Sequence, residues 1–164
     1  METVLHSFNY SLDYLSELLS DVCECSMVRQ APGVPNHPAW TIGHLIFVSQ
    51  MIGGVAGLEP WLEDEWANAF GPGSTPVAEA LSYPPKEALM SFLNEARLKL
   101  TAAVENLDND TLDRPFPDPS YKDDFPTIRH ALTQVMVAHT AFHVGQISTW
   151  RRVMNLPAMG RSFE

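Results

Sequence analysis

From Gln30 to Leu58 the chain carries no Asp, Glu, Lys or Arg. The part from Pro38 to Leu58 is long enough to cross a bilayer as a helix. Against a membrane span stand His44, Ser49, Gln50 and the glycines Gly43, Gly53, Gly54 and Gly57. Basic flanks are also missing, because the far side opens with Glu59 and runs into Glu63-Asp64-Glu65. A helix that is apolar on most sides and does not meet lipid has to be wrapped by other protein elements. The segment therefore reads as the buried member of a helix bundle, running from about Pro38 to Gly57. Proline suits its first helical position.

Three further helical patterns supply the wrapping, and no strand alternation competes with them. The first runs from about Thr3 to Met27, with Leu5, Phe8, Leu12, Leu15, Leu19 and Val22 on one stripe and Asp13, Glu17, Asp21 and Glu24 on another. It stops before Ala31-Pro32-Gly33. The next follows Pro84-Pro85 to about Leu107, with the stripe Leu89, Phe92, Leu93, Ala96, Leu100, Ala103, Leu107. The last runs from near Pro126-Thr127 to about Met154, with the stripe Ile128, Leu132, Val135, His139, Phe142, His143, Ile147, Trp150. Two connections, 58–84 and 108–126, exceed the usual loop length; such loops act as lids, as binding loops or as plain crossovers. The expected architecture is all-α, a four-helix bundle with at least one long crossover.

Composition narrows the function. The 164 residues amount to one domain, 1–164, and a hydrophobic content of 45% excludes intrinsic disorder. Ten Lys plus Arg against 20 Asp plus Glu leave a net charge of −10, which repels nucleic acid and anionic membranes. The two cysteines, Cys23 and Cys25, lie two apart on the first helical pattern. They should point about 200° apart and cannot share a metal while helical, so they read as surface or partly packed thiols. With no secretory start, a reduced cytoplasmic setting is expected.

The histidines carry the chemistry. His139 and His143 are four apart on the apolar stripe of the last helix, about 40° apart in direction and one turn apart along the axis. That spacing lets two imidazoles hold one metal. His44 lies on the inward face of the second helix, beside Gly43, which permits close approach. Core histidines hydrogen-bonded to neighbours are the competing explanation. Three inward rings are harder to satisfy that way, since each buried unpaired nitrogen costs about 1–3 kcal/mol. Of the others, His130 should face outward, His6 lies off its stripe, and His37 is placed to cap the second helix. Trp40 and Gln146, close to the histidines along their helices, are substrate-pocket candidates; Gln146 could equally orient a ligand or pack at the bundle end. Glu63, Asp64 and Glu65 could approach from their loop, or simply be solvated.

Two blocks make the sequence recognisable. Asn36-His37-Pro38-Ala39-Trp40-Thr41-Ile42-Gly43-His44-Leu45 and His139-Thr140-Ala141-Phe142-His143-Val144-Gly145-Gln146-Ile147 resemble the helix-two and helix-four signatures of the DinB-like superfamily. Val144 stands where relatives often carry Arg, which weakens any inference about anion binding beside the site. The resemblance implies an up-down-down-up bundle with a long crossover between helices 2 and 3, a divalent metal on His44, His139 and His143, and often a homodimer. It also implies chemistry like that of bacillithiol- or mycothiol-dependent S-transferases, a thiol-dependent isomerase or metal-dependent hydrolases. The expectation is a metal-dependent transferase that activates a low-molecular-weight thiol (or water) for a small-molecule substrate. The alternatives are a hydrolase and a non-catalytic, stress-linked metal-binding dimer. Imidazole ligands suit zinc first and nickel next.

Overall fold

The structure, a computed structural model, describes residues 1–159. In chain order the helices are α1 (Glu2–Leu19), α2 (Pro38–Val55), a short α3 (Glu65–Phe70), α4 (Lys86–Glu105), a single turn α5 (Asn109–Leu112), and a last rod in three parts. The rod begins as α6 (Ile128–Thr133), passes through a π-helical segment (Gln134–His139) and continues as α7 (Thr140–Val153). No strand occurs among the described residues, and none of their helices is long and apolar enough to cross a membrane.

Side-chain contacts give the directions of the rods. Arg151, near the end of α7, bonds the carbonyl of Leu18 and the carboxylate of Asp21 at the end of α1, so these two rods run parallel. Lys86, the first residue of α4, donates to the carbonyls of Leu19 and Val22, each at 2.6 Å, so α4 runs antiparallel to α1. Trp61, just past α2, lies beneath Lys99 in the later half of α4. At the other end, Phe70 packs over Gly43 and against Tyr83, just before α4. Helices α2 and α4 are therefore parallel, and the order is up-down-down-up. Parallel neighbours cannot be joined by a tight turn. The segment 58–84 is the crossover this arrangement needs, and α3 lies within it.

As the uncharged stretch requires, α2 is buried nearly all round in its first half, with Ile42 and Ile46 fully inaccessible. The stripe of α1 is buried throughout, from Leu5 to Val22. On the other rods, two stripe residues are exposed. Phe92 is 40% exposed and packs edge-on against Trp66. Phe142 is 61% exposed, because it lies about 100° round the helix from His143 and past the edge of the inward face.

The first helix is shorter than its pattern predicts. It ends at Leu19, and Cys23 has extended backbone. The exposed carbonyls at its C-terminal end are taken by the cations of Lys86 and Arg151, which suits both hydrogen bonding and the helix dipole. The expectation of two separate thiols is corrected with it. Off the helix, in a 3₁₀ turn, Cys23 and Cys25 are no longer held apart, and they form a disulfide with a Cα separation of 5.4 Å. It spans only two residues in sequence, so it constrains the turn and little else.

Arg151 is the one buried cation of this end, at 2% exposure. Its two terminal nitrogens bond Asp21, the Leu18 carbonyl and the Pro157 carbonyl, while its Nε is buried without a partner. Its guanidinium holds the Asp21 carboxyl below the usual carboxylate range. Substituting Asp21→Ala should cost about 2–3 kcal/mol, because it leaves a buried charge short of its partner. Urea unfolding of the two proteins at neutral pH measures this. A double substitution that also replaces Arg151 by Met should recover part of the loss.

Candidate metal centre

The site is built from α2 and the last rod. His44, His139 and His143 each offer a ring nitrogen, and these nitrogens lie within 4.8 Å of one another. His44 and His143 are buried, and His139 is partly so. The Nε2 atoms of His44 and His139 are 3.2 Å apart. Two nitrogens sharing a tetrahedral zinc at ~2.0–2.1 Å would be about 3.3–3.4 Å apart.

The hydrogen bonds behind the rings decide where the protons sit. His44 Nδ1 is 2.7 Å from the carbonyl oxygen of Phe70. A carbonyl only accepts, so Nδ1 carries the proton and Nε2 presents a bare lone pair. His143 Nδ1 donates to Gln146 Oε1 at 3.0 Å, which likewise leaves its Nε2 bare. That same oxygen accepts from Asn36 at 3.1 Å, tying the start of α2 to α7. His139 Nδ1 is buried with no protein partner. If the proton of this ring sits on Nε2, it donates to His44 and strands the bare Nδ1. If it sits on Nδ1, the lone pairs of His44 and His139 face each other. Protein groups alone leave at least one nitrogen wanting in either tautomer. A cation at the meeting point takes all three lone pairs, so the donor set fits a divalent ion.

All three rings are kept neutral. Burial lowers the pKa of His44. Burial also brings His139 down to about 4, and the charge on His44 adds to the effect. His143 falls to about 3, first through burial and then through His139 and His44, with the Gln146 bond opposing. Neutral imidazole is the form that binds metal.

Local structure explains the convergence. Gly43 sits under the Phe70 ring, where a Cβ would come within 2.1 Å of it. The glycine thus lets Phe70 close in and bring its carbonyl onto His44. Trp40, one turn before His44, stacks on its ring at 4.7 Å with planes 10° apart, and donates Nε1–H to Ser74. His139 ends the π segment. There both the N–H and the hydroxyl of Thr140 turn to the Val135 carbonyl, five residues back. Such π segments recur at functional sites.

The remaining expected residues fall as follows. Trp40 and Gln146 back the histidines as supports. His37 caps α2, accepting from the Trp40 N–H at 3.2 Å, and its other nitrogen donates to the carbonyl of Val77. His130 is exposed and bonded to Thr127, and His6 is exposed. Glu63, Asp64 and Glu65 are exposed, and no carboxylate joins the three rings among the described residues. The carbonyl of Phe70 and the amide of Asn36 had no assigned role in the sequence reading. A backbone carbonyl leaves no trace in sequence, but Asn36 stands inside the first recognisable block.

Four long helices surround three inward imidazoles whose ring nitrogens could hold one metal ion. The sequence profile of the DinB superfamily matches residues 7–147, and the chain belongs to that family. Among solved structures it is similar to YfiT from Bacillus subtilis, described as a probable metal-dependent hydrolase with an unusual four-helix bundle topology. The TM-score is 0.67 at 15% identity, over 95% of this chain and 88% of that one. At that identity the likeness is one of fold. No protein of curated function matches the sequence.

Two outcomes follow from the site. Gly43→Ala should displace Phe70, loosen the His44 bond and weaken zinc binding by about 10–100-fold, as other losses of a ligand's supporting bond do. A competitive zinc titration reads this directly. The pH dependence has a definite sign. The folded-state pKa values of His139 and His143, about 4 and about 3, lie below the ordinary value of 6.5. As pH falls below 6.5 the unfolded chain takes up protons that the folded chain refuses. The metal-free protein should therefore lose up to about 1.4 kcal/mol per pH unit for each ring, until the folded-state pKa is reached. Denaturation between pH 7.5 and 4.5 should show a shallower slope for His143→Ala than for the parent.

Proposed function

We propose that the chain holds one divalent cation, zinc first and nickel next, on His44, His139 and His143 and works as a metal-dependent transferase that activates a small thiol. The observation that carries this reading is the pair of locked tautomers, with the Nε2 lone pairs of His44 and His143 left bare beside His139. When bound, the ion keeps its full positive charge among neutral ligands, retains open positions and stabilises a thiolate over its thiol.

The chain's own residues do the rest. The Phe70 carbonyl and Gln146 hold two rings in position, and Trp40 shields the back of His44 from water. Among the described residues no carboxylate joins the three rings to take a proton from a nucleophile. That favours a nucleophile that gives up its proton readily: a thiol starts from a pKa of about 8.5 and water from about 15.7. In the transfer, the sulfur bonds to an electrophilic carbon as the leaving group departs with its electron pair. The thiol proton goes to solvent. As the family resemblance implies, the working unit is taken to be a homodimer; the cytoplasmic setting is taken from the lack of a secretory start.

Hydrolysis is the second reading, supported by the description of YfiT. One assay separates the two. Metal-free and zinc-loaded protein are offered a panel of low-molecular-weight thiols with alkylating electrophiles, and in parallel a panel of esters and amides. The expected result is zinc-dependent loss of free thiol. His139→Ala should lose both the metal and the turnover while its helix content stays unchanged. Turnover of esters without any thiol consumption would replace the transferase reading by the hydrolase one. Zinc bound with no turnover in either panel would leave a non-catalytic metal protein.

A further inference from the structure

Beside the three rings lies a chamber of about 200 Å³. His44 and His139 form one end of it, Val48, Ile52 and Val135 its helix side, and Phe116 and Phe125 its loop side. No Asp, Glu, Lys or Arg lines it. The loop side is a built wall. Phe116 and Phe125 meet at 5.3 Å between ring centres, and Tyr121 stacks on Phe125 at 5.9 Å. The loop is closed at its base, where Pro115 and Thr127 form an antiparallel bridge and the Ile128 N–H donates to the Arg114 carbonyl at 3.0 Å. Arg129 and Asp113 pair just outside this closure at 2.8 Å.

We propose that this chamber receives an uncharged aromatic group of the substrate, presented edge-on to His44 and His139, and that loop 114–128 sets the size admitted. An apolar cavity of ~150 Å³ already takes benzene, so this one has room for a ring bearing a small substituent. In the metal-free protein a carboxylate or ammonium placed here would lose its hydration and meet no compensating charge. The chain's charge of −10 adds to the exclusion of anions. As a statement about substrate, the inference rests on the metal-centre reading, but occupancy of the chamber does not.

Fluorine NMR on the full chain, metal-free and zinc-loaded, tests it with fluorobenzene and 4-fluorobenzoate as probes. Fluorobenzene should bind saturably to both forms, and in the metal-free protein 4-fluorobenzoate about tenfold more weakly or not at all. Val48→Phe fills the chamber and should weaken fluorobenzene by about tenfold or more. Phe116→Ser, which opens the wall from the loop without touching a bundle helix, should weaken it too and covers the case in which the first variant does not fold. In cobalt-loaded protein the resonance of bound fluorobenzene should broaden. Absence of saturable binding, equal binding of the benzoate to the metal-free protein, or folded variants that bind like the parent would each overturn the proposal. So would affinity that falls as protein concentration rises, since a side chain of a second copy would then be the occupant. Fluorobenzene binding without stoichiometric zinc would support the chamber while removing the metal centre, so the two failures are distinguishable.

Discussion

The hydrogen bond from His44 to the Phe70 carbonyl joins the fold to the chemistry. It needs α3 to lie against α2, which needs Gly43 to have no side chain, which in turn makes the crossover between the parallel helices α2 and α4 part of the site rather than a plain connection. A buried imidazole with a free choice of tautomer would settle its nitrogens by turning. Here the carbonyl on one side and Gln146 on another remove that choice. The bundle core then holds lone pairs that point at one another, an arrangement with little to recommend it except in the presence of a cation.

Much of this was legible in the sequence, and for a simple reason. Helical periodicity and the i, i+4 spacing of His139 and His143 are properties of a single rod, and the turn between the two histidines is α-helical. The uncharged run around His44 could be placed inside the bundle because burial on every side leaves a compositional mark. The losses came where contacts between elements decide the outcome. Nothing in residues 20–27 announces that Lys86 and Arg151 will take the last carbonyls of α1, so its pattern reads on to Met27 and the cysteines read as helical. The expected inward Phe142 failed on the width of a stripe that has to include both histidines. The chamber wall was out of reach as well, because Phe116, Tyr121 and Phe125 come together through loop closure, not periodicity.

Charge is distributed with the same economy. The acidic surface is left to water, while the one buried Lys or Arg among the described residues lies at the far end of α7, beside Asp21 and away from the imidazoles. The rings are lowered by burial before any neighbouring charge acts on them. The end of the bundle that carries the three imidazoles thus holds no buried formal charge of its own.

The π segment has a consequence beyond the placing of His139. A turn whose bonds reach five residues back accommodates one more residue than the α-helix it interrupts. The rod therefore changes phase partway along relative to an unbroken α-helix, and Ile128 and Leu132 before the segment share the core with Ile147 and Trp150 after it. A relative with an unbroken α-helix here would be a residue shorter between 134 and 139. Its alignment with this chain would then require a gap in mid-helix, directly before the first histidine of the pair.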